Sequence, residues 1–222
     1  MFEAVLFDLD GTLADTAPDL CGAVNILLSE EGRPQQPFSS LRPYTSQGVR
    51  GLLGKGFGID ASHREYDRLA ARFLEIYADR LCDLSRLFDG IPELLDTLES
   101  HGIAWGIVTN KRARYTDPLV AALGLTPRTR CVVSGDTTAE AKPSPLPILH
   151  ACTILRCVPQ RTLYVGDDRH DIVAGLAAGS RTAAVSYGYL GDSGPIETWG
   201  ADFIAHHPAS LADCLFYSDR QE

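Results

Sequence analysis

The sequence predicts an α/β fold: a Rossmann-like, doubly wound parallel sheet with an inserted all-helical cap. Three observations carry that expectation. From Phe88 onward, short and nearly continuous apolar runs alternate with helical patterns, as expected of parallel strands buried on both faces. One further run of this kind, Ala4-Val5-Leu6-Phe7, opens the chain. Between the two regions, residues 16–85 read as helix alone. The expected division is therefore a core of residues 1–15 and 86–222, with a helical cap of residues 16–85 inserted into it.

The opening run ends in Asp8-Leu9-Asp10-Gly11-Thr12. It is too short for an independent helix and reads as a buried strand. If the strand continues through the acids, side-chain alternation puts Asp8 and Asp10 on one face, and Gly11 then lets the backbone turn. Two like charges so close need a cation or a shared proton. No alternating run follows Gly11, which argues against a plain hairpin turn. Thr16-Ala17-Pro18-Asp19 has the form of a helix start with Thr16 as its cap. Leu20, Ala23, Val24, Leu27 and Leu28 then recur at helical spacing up to Gly32. A glycine cluster from Gly48 to Gly58 reads as a flexible loop carrying Arg50 and Lys55. With no strand before it, it is a poor match to a dinucleotide loop. Ser62 and Glu65 form a second capping-box start, followed by a helical stripe from Tyr66 to Leu81.

In the second region a helix over 91–100 leads to a strand over 103–108, ending in Thr109-Asn110-Lys111. Thr116-Asp117-Pro118 opens the next helix, 131–134 is a third strand, and Pro145 and Pro147 begin another helix. A fourth strand at 162–165 runs into Gly166-Asp167-Asp168. A helix from Asp171 to Ala178, a strand at 182–185, an edge strand at 203–205 and a last helix from Ser210 complete the pattern. Ligands of such sheets bind beyond the carboxyl ends of the strands, near the point where strand order reverses. Asp8 and Asp10, Thr109 to Lys111, and Asp167 and Asp168 all fall at such ends, and core packing gives no reason for polar residues to collect there. Carboxylates gathered without a paired His or Cys point to Mg2+. For Asp168 and Asp171 a helix-capping role and a site role both stand at this stage. Lys142, at Glu140-Ala141-Lys142-Pro143, is either a solvated surface lysine or the cation that balances the acids.

Composition narrows the function further. The 222 residues are 45% hydrophobic and 22% charged, with a formal net charge of -9, so no global field attracts nucleic acid or an anionic membrane. An anionic substrate must be captured by local cations or by a metal. No apolar run approaches the ~20 residues of a membrane span. The N-terminus lacks a signal-peptide pattern. Six scattered cysteines with no CxxC pair suggest reduced thiols, and a cytoplasmic setting is expected. Assembly state is not legible.

The four stretches Asp8 to Thr12, Thr109 to Lys111, Lys142, and Gly166 to Asp171 resemble, in order and at fitting spacing, the four motifs of the haloacid dehalogenase superfamily. The resemblance spans nearly the whole chain and puts 16–85 in the place of that family's helical cap. Among its branches the chain looks like the phosphoglycolate phosphatase group. Around Thr109 to Lys111, Arg181 to Val185 and Trp199 to Asp202 it looks closer still to bacterial N-acetylmuramic acid 6-phosphate phosphatases. The resemblance implies a Mg2+-dependent phosphomonoesterase acting on a small phosphorylated metabolite. Asp8 would be the nucleophile that forms an aspartyl-phosphate, and Asp10 the general acid and base. Mg2+ would be held by Asp8, the backbone carbonyl of Asp10 and Asp167, with Asp168 and Asp171 in support. Thr109, Asn110 and Lys142 would hold the phosphoryl oxygens. Gly11, Thr12, Arg50, Tyr44 and Lys55 are the expected substrate contacts, Arg50 facing the carboxylate that both 2-phosphoglycolate and N-acetylmuramic acid 6-phosphate carry. A sugar phosphomutase of the same superfamily is the second enzyme reading, and a non-catalytic, Mg2+-binding, receiver-like module the third.

Overall fold

The structure is a computed structural model that describes residues 2–216. Six strands form one parallel sheet: β1 (Ala4–Phe7), β4 (Ala104–Val108), β5 (Val132–Val133), β6 (Thr162–Gly166), β7 (Arg181–Val185) and β8 (Phe203–Ala205), in the order β5-β4-β1-β6-β7-β8. Two further strands, β2 (Ala14–Asp15) and β3 (Arg86–Leu87), form a separate antiparallel ribbon. The helices are α1 (Ala17–Glu30), α2 (Phe38–Leu41), α3 (Gly48–Phe57), α4 (Tyr66–Ala78), α5 (Ile91–Ser100), α6 (Ala113–Ala122), α7 (Leu146–Leu155), α8 (Arg169–Ala178) and α9 (Pro208–Phe216). Among the described residues, no helix is long and apolar enough to cross a membrane.

Period-two alternation divides the sheet between two cores. Val5 and Phe7 of β1, with Trp105, Ile107, Leu163 and Val165, pack against α5, α6 and α9. Leu6, Val108, Val133 and Tyr164 face the other way, onto α7 and α8. Helices thus cover both faces, as the apolar runs implied. The chain winds outward from β1 through β4 to β5, then returns to β6 on the far side of β1. Strand order therefore reverses at β1, and the ends of β1, β4, β5 and β6 surround the resulting crevice.

Helices α1 to α4 lie between β2 and β3 and have their own apolar cluster, built on Leu20, Val24, Leu27, Leu52, Leu53, Phe73 and Tyr77. Arg68 and Arg72 of α4 pair with Glu31 and Glu30 beside α1, exposed bridges that add little to stability. Asp19, wholly buried in α1, accepts hydrogen bonds from the Leu84 and Ser85 amides and the Ser85 hydroxyl at 2.6–3.1 Å. It binds the outgoing chain to the returning one.

Several local expectations are corrected. β1 stops at Phe7, although its ladder continues by one bond, from the Asp8 amide to the Val165 carbonyl at 2.9 Å; Asp8 and Asp10 therefore belong to the turn beyond the strand. Thr16 does not cap α1. The phenol of Tyr189 does so instead, accepting from the Thr16 and Ala17 amides at 2.7 and 2.9 Å. Residues 48–57 are helical despite four glycines, because Leu52, Leu53 and Phe57 bury one face. Ser62 bonds Asp60 rather than capping α4. α6 begins at Ala113, with Pro118 inside it.

Candidate active site

The turn after β1 is tight. The Leu13 and Ala14 amides donate to the Leu9 carbonyl at 3.1 and 2.9 Å, and the Gly11 amide to Ala14 at 2.9 Å. Gly11 has φ +86°, and a Cβ there would collide with the Asp167 carboxylate. Only glycine brings the turn so close to the end of β6.

Asp8, Asp167 and Asp171 converge, with one carboxylate oxygen from each lying within 4.8 Å of the others. All three are buried. Burial pushes the Asp8 carboxyl up to about 7, with Lys142 lowering it and Asp171 raising it further. Burial and the neighbouring Asp8 hold Asp167 well above the usual range. The Lys142 ammonium reaches into this cluster from beyond β5. It lies 2.6 Å from Asp171, 2.9 Å from Asp8, 2.8 Å from the Tyr164 hydroxyl and 3.0 Å from the Val108 carbonyl, and shares its three N–H donors among these four oxygens. Burial works against its charge, but Asp171 and Asp8 outweigh that and keep Lys142 protonated. One cation against three carboxylates leaves an excess of negative charge in an oxygen-lined pocket, which suits a divalent ion.

The remaining residues separate into those at this centre and those supporting it. The Asp10 carboxylate stands apart from the cluster. Lys111 holds both its oxygens at 2.8 and 3.0 Å, and the Thr16 hydroxyl donates to it at 2.6 Å. Thr109 lines the cavity. Asn110 also lines the cavity; its side-chain amide bonds the Lys142 backbone at both ends, at 2.9 and 3.0 Å, and keeps one N–H beyond those bonds. Asp168 caps α8 and accepts from the His170 ring at 2.7 Å. Asp171 completes that capping box and belongs to the acid cluster as well.

A cavity of about 740 Å³ lies between α1, α3 and α4 on one side and the strand ends on the other. Arg50 lines it. The expected contacts Tyr44, Lys55, Gly11 and Thr12 do not. Tyr44 turns outward to Asp192 at 3.2 Å, with the Lys55 ammonium 5.2 Å over its ring. The wholly buried Thr12 gives its hydroxyl to Asp167 at 3.2 Å, and Gly11 is pressed against that same carboxylate.

Sequence reasoning passed over three residues here. Lys111 was visible beside Asn110, but no pattern paired it with Asp10. Tyr189 donates its amide to Asp167 at 2.7 Å and its hydroxyl to Asp15 at 2.6 Å. Tyr187-Gly188-Tyr189 follows the end of β7, so the strand-end rule reaches it. Ser46, which donates to Asp167 at 2.7 Å, has no local sequence signal.

The chain is similar to proteins of one known family. A family model described as haloacid dehalogenase-like hydrolase matches residues 5–185. The chain is 42% identical to the N-acetylmuramic acid 6-phosphate phosphatase of Pseudomonas aeruginosa, covering 96% of this chain and 94% of that one. It is 43% identical to a phosphoglycolate phosphatase of Xanthomonas campestris, covering 94% of each. A crystal structure described as a "predicted phosphoglycolate phosphatase" from Haemophilus somnus superposes with a TM-score of 0.83 at 28% identity, over 96% of this chain and 98% of that one.

Proposed function

The chain belongs to the haloacid dehalogenase-like hydrolases, and from that premise we propose that it is a Mg2+-dependent phosphomonoesterase acting on a carboxylate-bearing amino-sugar phosphate such as N-acetylmuramic acid 6-phosphate. The observation that carries this reading is the pairing of Asp8, inside the acid cluster, with Asp10, held outside it by Lys111. Asp8 attacks phosphorus and takes the phosphoryl group as an aspartyl-phosphate. Asp10 gives its proton to the leaving oxygen and later takes one from the attacking water. Lys142 offsets the charge that gathers on the phosphoryl oxygens, and the Thr109 hydroxyl faces them from the end of β4. Asp8 and Asp167, with Asp171 beside them, would hold a divalent ion, which when bound would offset the repulsion between carboxylate and phosphate. Residues 16–85 act as the cap that closes over the substrate and excludes water.

Cavity size supports the larger substrate. At about 740 Å³ the space is in the range that encloses drug-sized ligands, roughly 300–1,000 Å³, and a two-carbon phosphoglycolate would leave most of it to water. Phe73, Leu20 and Tyr66 give it an apolar wall for a sugar face and an acetyl methyl, while Arg50 suits a carboxylate. A phosphate-release panel of N-acetylmuramic acid 6-phosphate, 2-phosphoglycolate and simple hexose phosphates tests the assignment. The expected result is at least a hundredfold higher kcat/KM for the first, about 2.7 kcal/mol of transition-state discrimination. Preference for 2-phosphoglycolate would overturn the substrate, and absence of phosphate release from every ester would overturn the activity.

Ion binding should depend on pH. With burial holding the Asp8 carboxyl near 7, the ion-free site is mostly protonated there at pH 6 and mostly ionised at pH 8. Only the ionised carboxylate binds a cation, and Asp167 is raised as well, so Mg2+ affinity is expected to rise roughly tenfold or more over that interval. Calorimetry in two buffers of different protonation enthalpy checks this, and should detect proton release on binding at pH 6.

A further inference from the structure

We propose that Ser46 is a positioning residue for the metal carboxylate Asp167, and that it links ion binding to closure of the cap. The inference rests on the reading of Asp8, Asp167 and Asp171 as an ion site, but not on the identity of the substrate.

Three donors hold the buried Asp167 side chain. The Thr12 hydroxyl reaches Oδ1 at 3.2 Å, and the Tyr189 amide and Ser46 hydroxyl both reach Oδ2 at 2.7 Å. Thr12 and Tyr189 belong to the core, whereas Ser46 is a cap residue 121 positions away in sequence. With two short bonds, Oδ2 is saturated and the carboxylate is fixed in rotation. Oδ1, with one long bond, keeps a lone pair for a cation.

Ser46 belongs to a docked segment rather than reaching across alone. Arg42, Tyr44 and Ser46 lie on one short 3-10 helix, Arg42–Gln47, and each meets the core. Arg42 donates to the Gly188 and Tyr187 carbonyls at 3.0 and 3.2 Å, with its guanidinium 4.8 Å over the Tyr189 ring. Tyr44 donates to Asp192 at 3.2 Å. The segment therefore grips residues 187–192, the loop whose Tyr189 amide is the other Oδ2 donor. A Cβ at Gly188 would collide with Asp167 and with the Gly11 carbonyl, so this loop too lies directly on the carboxylate. Lifting the cap removes the Ser46 bond and releases the grip on the loop that carries the second donor.

Hydrogen-bond partners of ligating carboxylates typically change metal affinity by 10–100-fold. Coupling between two binding events is reciprocal. If the closed cap orients Asp167 for the ion, the ion must favour the closed cap by the same factor.

The test is made on the intact protein without any phosphate ester. Mg2+ is titrated calorimetrically into wild type, Ser46→Ala, Ser46→Thr and Arg42→Met, and amide hydrogen exchange of residues 42–47 and 187–192 is followed with and without the ion. Ser46→Ala is expected to bind Mg2+ at least roughly tenfold more weakly, Ser46→Thr to recover the affinity through its retained hydroxyl, and Arg42→Met to weaken it without touching Asp167. In wild type Mg2+ should slow exchange in both segments, and in Ser46→Ala it should not. Unchanged Mg2+ affinity in folded Ser46→Ala, or exchange insensitive to Mg2+ in wild type, would overturn the linkage. Failure of the whole substrate panel with the linkage intact overturns only the proposed activity; a wild type that binds no Mg2+ overturns both.

Discussion

Asp8→Asn is expected to lower phosphate release by at least roughly ten-thousandfold while leaving the chain folded. An amide cannot act as the attacking carboxylate, so the covalent route closes. The fold should tolerate the change, because burial already disfavours the charge at this position. An asparagine keeps an oxygen for the Lys142 ammonium, now 2.9 Å from Asp8, and its new amide hydrogens face the Asp167 and Asp171 carboxylates. Thermal unfolding of the ion-free variant should therefore match wild type or exceed it slightly. Mass spectrometry of acid-quenched turnover mixtures should find phosphorylated Asp8 in wild type and none in the variant. Retained turnover in a folded Asp8→Asn protein would remove Asp8 as nucleophile.

Lys142→Met should damage both activity and stability. The buried ammonium lies within hydrogen-bond distance of four oxygens, two of them on carboxylates, and shares its three N–H donors among them. Removing one partner of a buried charge network costs about 3–5 kcal/mol, because the abandoned carboxylates remain buried. For a chain of this size that is a fall in Tm of roughly 10 °C or more at neutral pH. The pH dependence has a definite sign. Lys142 is raised above its unfolded value, so its contribution is fully present at neutral pH and below. Asp8 is also raised and rises further without the lysine, so acid neutralises it in the variant and relieves the repulsion. The Tm deficit should be larger at pH 8 than at pH 5. Lys142→Arg should not rescue, since a larger, planar guanidinium does not fit among oxygens arranged around a compact ammonium.

Much of this architecture was legible because burial leaves a periodic trace. Val5 and Phe7 against Leu6 already encode a strand with two covered faces, and the polar residues terminating β1, β4 and β6 mark the crevice. At Lys142 the sequence leaves a surface lysine and a balancing cation both open, and the contacts of its ammonium with Asp8 and Asp171 decide for the second. The residues that escaped notice act through tertiary placement. Ser46 lies on a short turn with no periodicity, and what matters about it is the segment it docks against. Asp10 and Lys111 meet across 101 positions. Thr16 has the composition of a cap, yet a phenol 173 positions away occupies that role, freeing the threonine hydroxyl for Asp10. Asp168 and Asp171 could not be separated by spacing alone, since a capping box and an acid cluster demand the same carboxylates at the same interval. The glycines of α3 predict a loop, but burial of Leu52, Leu53 and Phe57 outweighs their low helix propensity.

The paired strands β2 and β3 have an architectural consequence. Asp15 stands directly opposite Arg86, so the two places where the polypeptide leaves and re-enters the sheet domain are cross-strand neighbours, about 5 Å apart. Everything between them is, in topological terms, an elaborated hairpin loop. Such a junction accepts inserts of any length without rethreading the sheet, and a two-residue turn could close it. On the proposed reading, a different segment joined between Asp15 and Arg86 would change the substrate while Asp8, Asp167 and Lys142 stay in place, provided that it supplied a hydroxyl to Asp167 as Ser46 does.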